Sequence, residues 1–538
     1  MTLNQRVLSI FDILGPIMIG PSSNHTAGAV RIGKIARMIL GEEPTKINLY
    51  FYGSLAETYK GHMTDAAVIA GLLEMEIDDQ RIKESLKIAS NSQIDVKIYT
   101  QTISDKNPNT IEMELKSTSC LVKIIAISIG GGEITLSNID EFKVNFNGNK
   151  DMIIVILREE ESKVISEIKD MLRENLISIQ SIKGDSRYLV CFYLKGIVDR
   201  PTLEAITNIR EVNFIRSLKS LYSYKLKNNC PLFTTIKEML LIGKSDQKSL
   251  PQVIIDYESR RSGLTEKEIR DGIKQIWKAM KEEIDQGLMK DNQLIGGLMS
   301  GKDAKMLYRA VKEEKLISGR PLSLAVARAI ACGEVNASMG RVVAAPTAGA
   351  VGVIPAVVLT TAEELGSKEE DIVDALLVAA GIGVVIAYTV PLSGAMGGCQ
   401  SEVGVASAMA AAAIVHLAGG NSEQVTQAMA LALKNLFGLV CDTVAGPVEV
   451  PCIKRNVIGV ANAFAVADMA LVGIQSIIPP DEVIVALRNI QTLMPMELRD
   501  TMLGGLGITE TAKRLKKEWL EKLKTKEQRK EKFQKKIE

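Results

Sequence analysis

Hydrophobic and polar positions divide the chain into four regions of different period. From 1 to 150, short β-rich runs such as Ile47 to Tyr52 and Leu121 to Ile129 alternate with apolar helical stretches such as Ala66 to Leu73, and Gly130, Gly131 and Gly132 make a turn. This pattern predicts an α+β domain. From 151 to 218 the order is strand, helix, strand, strand, helix, strand. Met152 to Leu157 is an apolar run, Val164, Ile168, Met171 and Leu172 recur at helical spacing, and Ile177 and Ile179 alternate before a turn at Lys183, Gly184 and Asp185. Tyr188 to Leu194 is a second β run, Leu203, Ile206 and Ile209 share a helical face, and Val212 to Ile215 closes the unit. Residues 219–245 are polar, with Lys225, Lys227, Asn228 and Asn229 ahead of Pro231, and are expected to be a linker. The pattern then turns helical. Thr265 and Glu268 form a capping box ahead of Ile269, Ile273, Ile276, Trp277, Met280 and Ile284. Ala- and Gly-rich apolar segments such as Ala406 to Ala418 continue to about 515 and predict a compact, mainly α-helical domain. The stretch 516–538 interleaves Glu with Lys, as a solvated helix or frayed tail would.

The fold class expected is therefore α+β and multidomain: 1–150, 151–218, a linker over 219–245, 246–515 and a charged tail. With 538 residues, 46% of them hydrophobic, the chain can bury more than one core. Lys and Arg number 65 against 64 Asp and Glu, so no global positive field exists to attract nucleic acid or an anionic membrane. A small-molecule partner is expected. The start, MTLNQRVLSIFDILGPIMIG, has no basic opening, uninterrupted apolar stretch or cleavage site of a secretory signal, and a cytoplasmic location is expected. Thiols stay reduced there. The seven cysteines are too widely spaced for a small disulfide scaffold and read as ligands or core residues. Ala375 to Leu392 is uncharged and almost long enough to span a bilayer. Gly381, Gly383 and Pro391 within it, and the lack of a flanking basic cluster, favour a buried core helix.

Some motifs fail on inspection. Gly296 to Lys302 reads G-G-L-M-S-G-K like a phosphate-binding loop, but Asp303 stands where a Ser or Thr must hold magnesium, and no clear strand precedes it. No H-E-x-x-H, C-x-x-C or G-x-S-x-G occurs. No lysine sits in a recognisable pyridoxal-phosphate context.

Three constellations remain. Cys399 lies in S-G-A-M-G-G-C-Q-S-E-V-G, Cys441 in G-L-V-C-D and Cys452 in V-E-V-P-C-I-K-R-N, with gaps of 42 (441 − 399) and 11 (452 − 441). Gly397, Gly398 and Pro451 beside them leave room for an inorganic cluster. By composition alone, burial in a core outweighs ligation as the reading of each of these free cysteines. Of the three histidines, His25 in G-P-S-S-N-H-T-A-G and His62 in K-G-H-M-T-D lie in polar, Gly-bounded segments suited to a site, whereas His416 lies on an apolar helix and reads as a core residue. In N-A-S-M-G-R-V-V-A-A-P-T-A-G-A, Asn336, Ser338 and Thr347 either orient a small polar ligand or belong to a plain helix junction.

G-P-S-S-N-H-T-A-G-A-V-R and G-S-L-A-E-T-Y-K-G-H-M-T-D resemble the motifs of the β domain of iron-sulfur L-serine dehydratases. N-A-S-M-G-R-V-V-A-A-P-T-A-G, G-G-C-Q-S-E-V-G, L-V-C-D-T-V-A-G-P-V-E-V-P-C-I-K-R-N and L-M-P-M-E-L-R-D-T-M-L-G-G-L resemble those of the α domain. The likeness runs from about Ser9 to Thr511. The βαββαβ region, a ferredoxin-like sandwich, resembles an ACT domain, although Arg158, Glu159, Glu160, Glu161 and Ser162 stand where such domains usually carry Asp-x-Pro-Gly. A structural or dimerising module is the competing reading of it.

The resemblance implies a 4Fe-4S cluster on Cys399, Cys441 and Cys452 with one iron free of protein thiolate, and conversion of L-serine to pyruvate and ammonia. It also implies an active site between the β-type domain and the cluster-binding domain. His62 would be the base at Cα. His25, with Ser22, Ser23 and Thr26, would position serine, with Thr64, Asp65, Asn336, Ser338 and Thr347 as further contacts. Lys454 and Arg455 would pair with the substrate carboxylate or else form a surface salt bridge. No cysteine follows Cys452 to cap the fourth iron. A homodimer is expected. The chain departs from the family pattern at Lys302 (often Gly), Val351 (often Cys), Met396 (often Glu) and Thr443 (often Pro), none of them an expected ligand. The rival readings are a cysteine desulfidase or another hydroxy-acid dehydratase on the same cluster, and a non-catalytic amino-acid sensor.

Overall fold

The structure of the protein, a computed structural model, describes residues 7–101, 106–107, 109–159, 162–222, 227–228 and 230–537, and only the backbone of Ser54 and of 526–537. Glu160, Glu161, Lys225, Asn229 and Glu538, which entered the sequence reading of loop, linker and tail, lie outside the described residues. The chain divides into two compact units, one of Met1–Ser23, Lys60–His62 and Lys227–Glu538, the other of Asn24–Tyr59 and Met63–Leu226. Two pieces of the N-terminal region are thus built into the unit that carries the helical C-terminal half.

Among the described residues, the unit of 24–59 and 63–226 holds two sheets. The larger has six strands in the order Asp95–Gln101, Lys46–Tyr52, Thr110–Lys116, Leu121–Gly130, Glu133–Ile139 and Phe142–Phe146, with the first pair parallel and the rest antiparallel. Alternation decides which face is buried: Ile47, Leu49 and Phe51 point inward on one strand, Val122, Ile124 and Ala126 on another. The helix Gly28–Leu40 packs on this sheet and against the helix Thr64–Leu72. Glycine allows the two helices to touch, since a Cβ on Gly33 would lie 2.2 Å from the Val68 carbonyl and one on Gly71 2.1 Å from that of Val30.

Asp151–Leu157, Ser162–Met171, Leu176–Lys183, Tyr188–Leu194, Arg200–Thr207 and Val212–Leu218 form β-α-β-β-α-β. In the four-stranded antiparallel sheet the fourth strand lies beside the first, then the third, then the second. Its core gathers Ile153, Val155, Val164, Ile168, Val190, Phe192 and Ile206. Arg216, on the edge strand, donates to the Ile39 and Leu40 carbonyls (3.0 and 2.8 Å) and so caps the helix Gly28–Leu40.

The other unit is mainly helical. Val405–Leu417, buried from Val405 to Val415, packs against Glu369–Thr389, Ser422–Asn435 and Cys452–Leu471. The apolar stretch expected to be a core helix falls on Glu369–Thr389, where Cβ positions on Gly381 and Gly383 would lie 2.5 Å from Ile254 and 2.3 Å from Ile13. Among the described residues, the two spans long and apolar enough to cross a membrane, Ala348–Leu365 and Glu369–Thr389, are mostly covered by protein. The expected linker ends sooner than 245. Ile236–Ser245 is a helix with a Thr235–Glu238 capping box that buries Ile236 and Met239, and only its outer face is polar. The charged tail lies in the helix Glu510–Ile537, anchored by buried Ala512 and Trp519.

The N-terminal segment is fastened to this unit by buried polar groups. Glu258 accepts from Ser9 Oγ and Ile10 N (3.0 and 3.1 Å), Arg261 Nε donates to the Val7 carbonyl (3.0 Å), and Tyr257 donates to that of Leu8 (2.7 Å). Glu258 and Arg261 pair at 3.1 Å with almost no exposure. Further on, Ile17–Ile19 forms an antiparallel pair with Arg341–Val343.

Candidate active site

Three loops of the helical unit bring distant thiols together. Cys399 precedes a π-helical turn, Gln400–Gly404, that leads into Val405–Leu417. Cys441 lies in extended backbone held against the 498–500 segment, its N–H donating to the Leu498 carbonyl (2.9 Å) and its carbonyl accepting from Asp500 N (2.8 Å). Cys452 is the first residue of the helix Cys452–Leu471. The ligand atoms of Cys399, Cys441 and Glu402 all lie within 4.8 Å of one another. A hydrogen bond with Cys399, then burial, pushes the Cys441 thiol far above its ordinary range. Burial, then the charges of Cys399, Asp500 and Glu402, does the same to Cys452.

Such a donor set suits a cation. Thiolates this close repel one another unless positive charge is bound between them. Glycine keeps space beside them, because a Cβ on Gly394 would lie 3.4 Å from Cys441 Sγ and 2.6 Å from the Glu402 carboxyl. The residues present are compatible with a metal cofactor. Burial lifts the Glu402 carboxyl to about 7, although Thr347 Oγ1 donates to it (2.8 Å). Arg455 is not a free carboxylate clamp. Its Nη1 lies 3.6 Å from Cys399 Sγ and donates to the Val440 carbonyl (2.6 Å), and its Nη2 pairs with Asp442 (2.9 Å). Lys454 is exposed and pairs with Asp303 at 3.4 Å, the surface salt bridge of the sequence reading.

His62 belongs to the same unit. Gly61 brings it there, since a Cβ on Gly61 would lie 2.7 Å from the Gly446 carbonyl carbon and 2.9 Å from Pro447 N. Only glycine lets the 60–62 turn meet the loop between Cys441 and Cys452 this closely. His62 is buried, with a ring nitrogen within 4.8 Å of the Asp500 carboxylate. Thr443 donates to Asp500 (3.0 Å).

Asn336 is buried and spends its amide on the backbone, donating to the Pro21 and Ala348 carbonyls (2.9 and 3.0 Å). With the weaker bond from Ala348 N to Ser23 Oγ (3.4 Å), it stitches the Ser22–Ser23 turn to the 336–350 stretch. Ser338 Oγ donates to its own helix end, at the Val335 carbonyl (2.9 Å). The other expected residues lie in the other unit. His25 Nε2 bonds Asn109 Oδ1 (3.2 Å), Asp65 accepts from Ala66 N (2.8 Å), and Thr26 and Thr64 are buried. His416 is half-buried, and burial lowers its pKa. Of the departures, Val351 is buried, Met396 is exposed and Lys302 pairs with Asp291 at 3.3 Å.

Sequence reasoning passed over Glu402, Asp442, Glu449 and Asp500, each of them inside a motif it quoted. The available signal was an acidic side chain set among apolar and small residues, as in C-Q-S-E-V-G and V-E-V-P-C. Such a carboxylate is costly to bury without a partner.

Comparison with known proteins identifies the family. Residues 9–138 match the family model for the serine dehydratase beta chain and 245–507 that for the alpha chain. A probable L-serine dehydratase alpha chain of Bacillus subtilis is 44% identical over 286 residues, which are 53% of this chain and 95% of that protein. L-serine dehydratase 1 of Escherichia coli is 31% identical over 517 residues, 93% of this chain and 99% of that protein, and the L-serine dehydratase of Haemophilus influenzae is 30% identical over 515 residues, 93% and 99%. The chain belongs to the serine dehydratase family, with beta-chain and alpha-chain regions in one polypeptide.

Proposed function

We propose that this protein is an L-serine dehydratase, a lyase that converts L-serine to pyruvate and ammonia on a 4Fe-4S cluster held by Cys399, Cys441 and Cys452. The observation that supports the reading is the meeting of Cys399 and Cys441, 42 residues apart in sequence (441 − 399), with Glu402 beside Gly394, and the reach of the Cys399 charge to Cys452, 11 residues further on (452 − 441). When bound, the cluster supplies a Lewis acid for the serine hydroxyl. His62 removes the Cα proton, and Asp500 beside it orients the ring and stabilises the imidazolium. Loss of hydroxide leaves an enamine that tautomerises and hydrolyses in water. Ser22 and Ser23 are offered to the substrate by the turn that Asn336 fixes, and Thr347 acts through Glu402. The assignment of His25, Thr26, Thr64 and Asp65 to serine contacts rests on the family resemblance alone. Residues 151–218 are assigned as an ACT-like module, and the enzyme as a cytoplasmic homodimer.

The test is preparation without oxygen, iron and sulfide counting, and a pyruvate assay. Cys441→Ala should lose both chromophore and pyruvate formation, whereas Cys191→Ala, buried on the strand Tyr188–Leu194 of the other unit, should keep both. Equal behaviour of the two variants, or sulfide release from cysteine outpacing pyruvate release from serine, overturns the assignment.

A further inference from the structure

The G-G-L-M-S-G-K run, which resembles a phosphate loop, has an anion of its own. Four consecutive backbone N–H groups, of Gly296, Gly297, Leu298 and Met299, converge on the Glu449 carboxylate at 2.6, 3.1, 2.7 and 3.1 Å, two to each oxygen. Glu449 is fully buried. Gly297 has a φ of +60° and turns successive N–H groups to one side, which makes a nest for negative charge. Position 296 admits only glycine, since a Cβ there would lie 2.4 Å from Pro447 and 2.7 Å from Glu449 Oε1.

Glu449 stands three residues before Cys452, and its own carbonyl accepts from Ile453 N (3.2 Å) in the first turn of the Cys452 helix. Val444 N donates to the Val450 carbonyl (2.9 Å), so the loop that starts at Cys441 closes beside the same point. The side chain is therefore a peg driven into the 296–299 nest, with a metal-ligand candidate on the next turn of backbone.

We infer that Glu449 is a positioning residue for the metal site: its carboxylate, docked in the 296–299 nest, holds the Val450–Pro451–Cys452 turn so that Cys452 stays in place as a ligand. The inference rests on the cluster reading above. A glutamine at 449 fills the same volume, but its NH2 group faces two N–H donors, and the charge that the nest favours is gone. An aspartate keeps the charge on a stem one methylene shorter, which cannot reach all four donors.

The experiment uses the full chain, loaded with iron and sulfide without oxygen. Iron and sulfide are counted, release of iron to an excess of a ferrous chelator is timed, and thermal unfolding of the metal-free protein is recorded for wild type, Glu449→Gln and Glu449→Asp. Faster iron release is expected, on the order of 10-fold or more for Gln and less for Asp, with an unchanged far-ultraviolet spectrum. If the Gln variant does not fold, the Asp variant carries the comparison. Wild-type release rates, or a lower unfolding midpoint with unaltered release, overturn the inference and leave the cluster reading standing. Wild type that takes up no iron overturns both.

Discussion

Glu112 illustrates how one side chain ties stability to pH. It is buried in the strand Thr110–Lys116, and burial alone would raise its pKa. Hydrogen bonds from Lys106, Lys123 (2.6 Å) and Tyr52 (2.8 Å) outweigh that and hold it at about 2. A folded pKa below the unfolded value means stability that is present above about 4.5 and lost as pH falls toward 2. Glu112→Gln should therefore be less stable than wild type at neutral pH, on the order of 2 kcal/mol because the half-exposed lysines are screened. The two proteins should converge in urea unfolding near pH 2. Asp500 bears on chemistry. Asp500→Asn should lower the turnover of serine about 100-fold with little change in KM if it orients His62, and an unaltered turnover would remove it from the mechanism. His62 and the cysteines stand out as candidates in the sequence because histidine and cysteine are scarce in it. Asp500 does not, being one carboxylate among 64 acidic residues whose neighbour at Cys441 is set by an isolated bridge between distant segments.

At the scale of elements, periodicity served best where an element buries one face. The strands and helices between Asp151 and Leu218 fall close to where alternation and helical spacing put them, and the capping box at Thr265 marks the start of Glu266–Met289. It failed at Ile236–Ser245, where Lys237 and Lys244 on the solvent side resemble linker composition while Ile236 and Met239 go inward. The π-helical turns at Ser23–Ala27 and Gln400–Gly404, which open the helices next to His25 and Cys399, leave no periodic trace in five residues. Helix contact through glycine was equally hidden. Gly71→Ala should shift the packing of Gly28–Leu40 on Thr64–Leu72, because the new methyl group meets the Val30 backbone rather than a yielding side chain. A loss of about 1–3 kcal/mol is expected by thermal unfolding, and an unshifted midpoint would mean that the crossing can relax.

For the whole molecule, the boundary that composition draws at 150 misses how the chain is used, since residues 7–23 and the 60–62 turn pack with the C-terminal half. Composition reports local preference, and partners more than 200 positions apart leave no mark on it. Arg261→Met isolates this fastening: it strands the buried Glu258 carboxylate and removes the donor to Val7. A loss of about 3 kcal/mol or more is expected in urea unfolding, and a smaller effect would mean that Ser9 and Tyr257 suffice.

The pairing of Ile17–Ile19 with Arg341–Val343 also orders events during synthesis. The first strand leaves the ribosome 324 residues (341 − 17) ahead of its partner. At roughly 5–20 residues per second that is an interval of tens of seconds. Throughout it the arm's Ile17–Ile19 strand has nothing to pair with, although residues 257–261, which hold Val7 to Ile10, are made earlier, and the serine-bearing turn gains its scaffold only late in translation. Slowed elongation should therefore expose this arm to chaperones and proteases for longer.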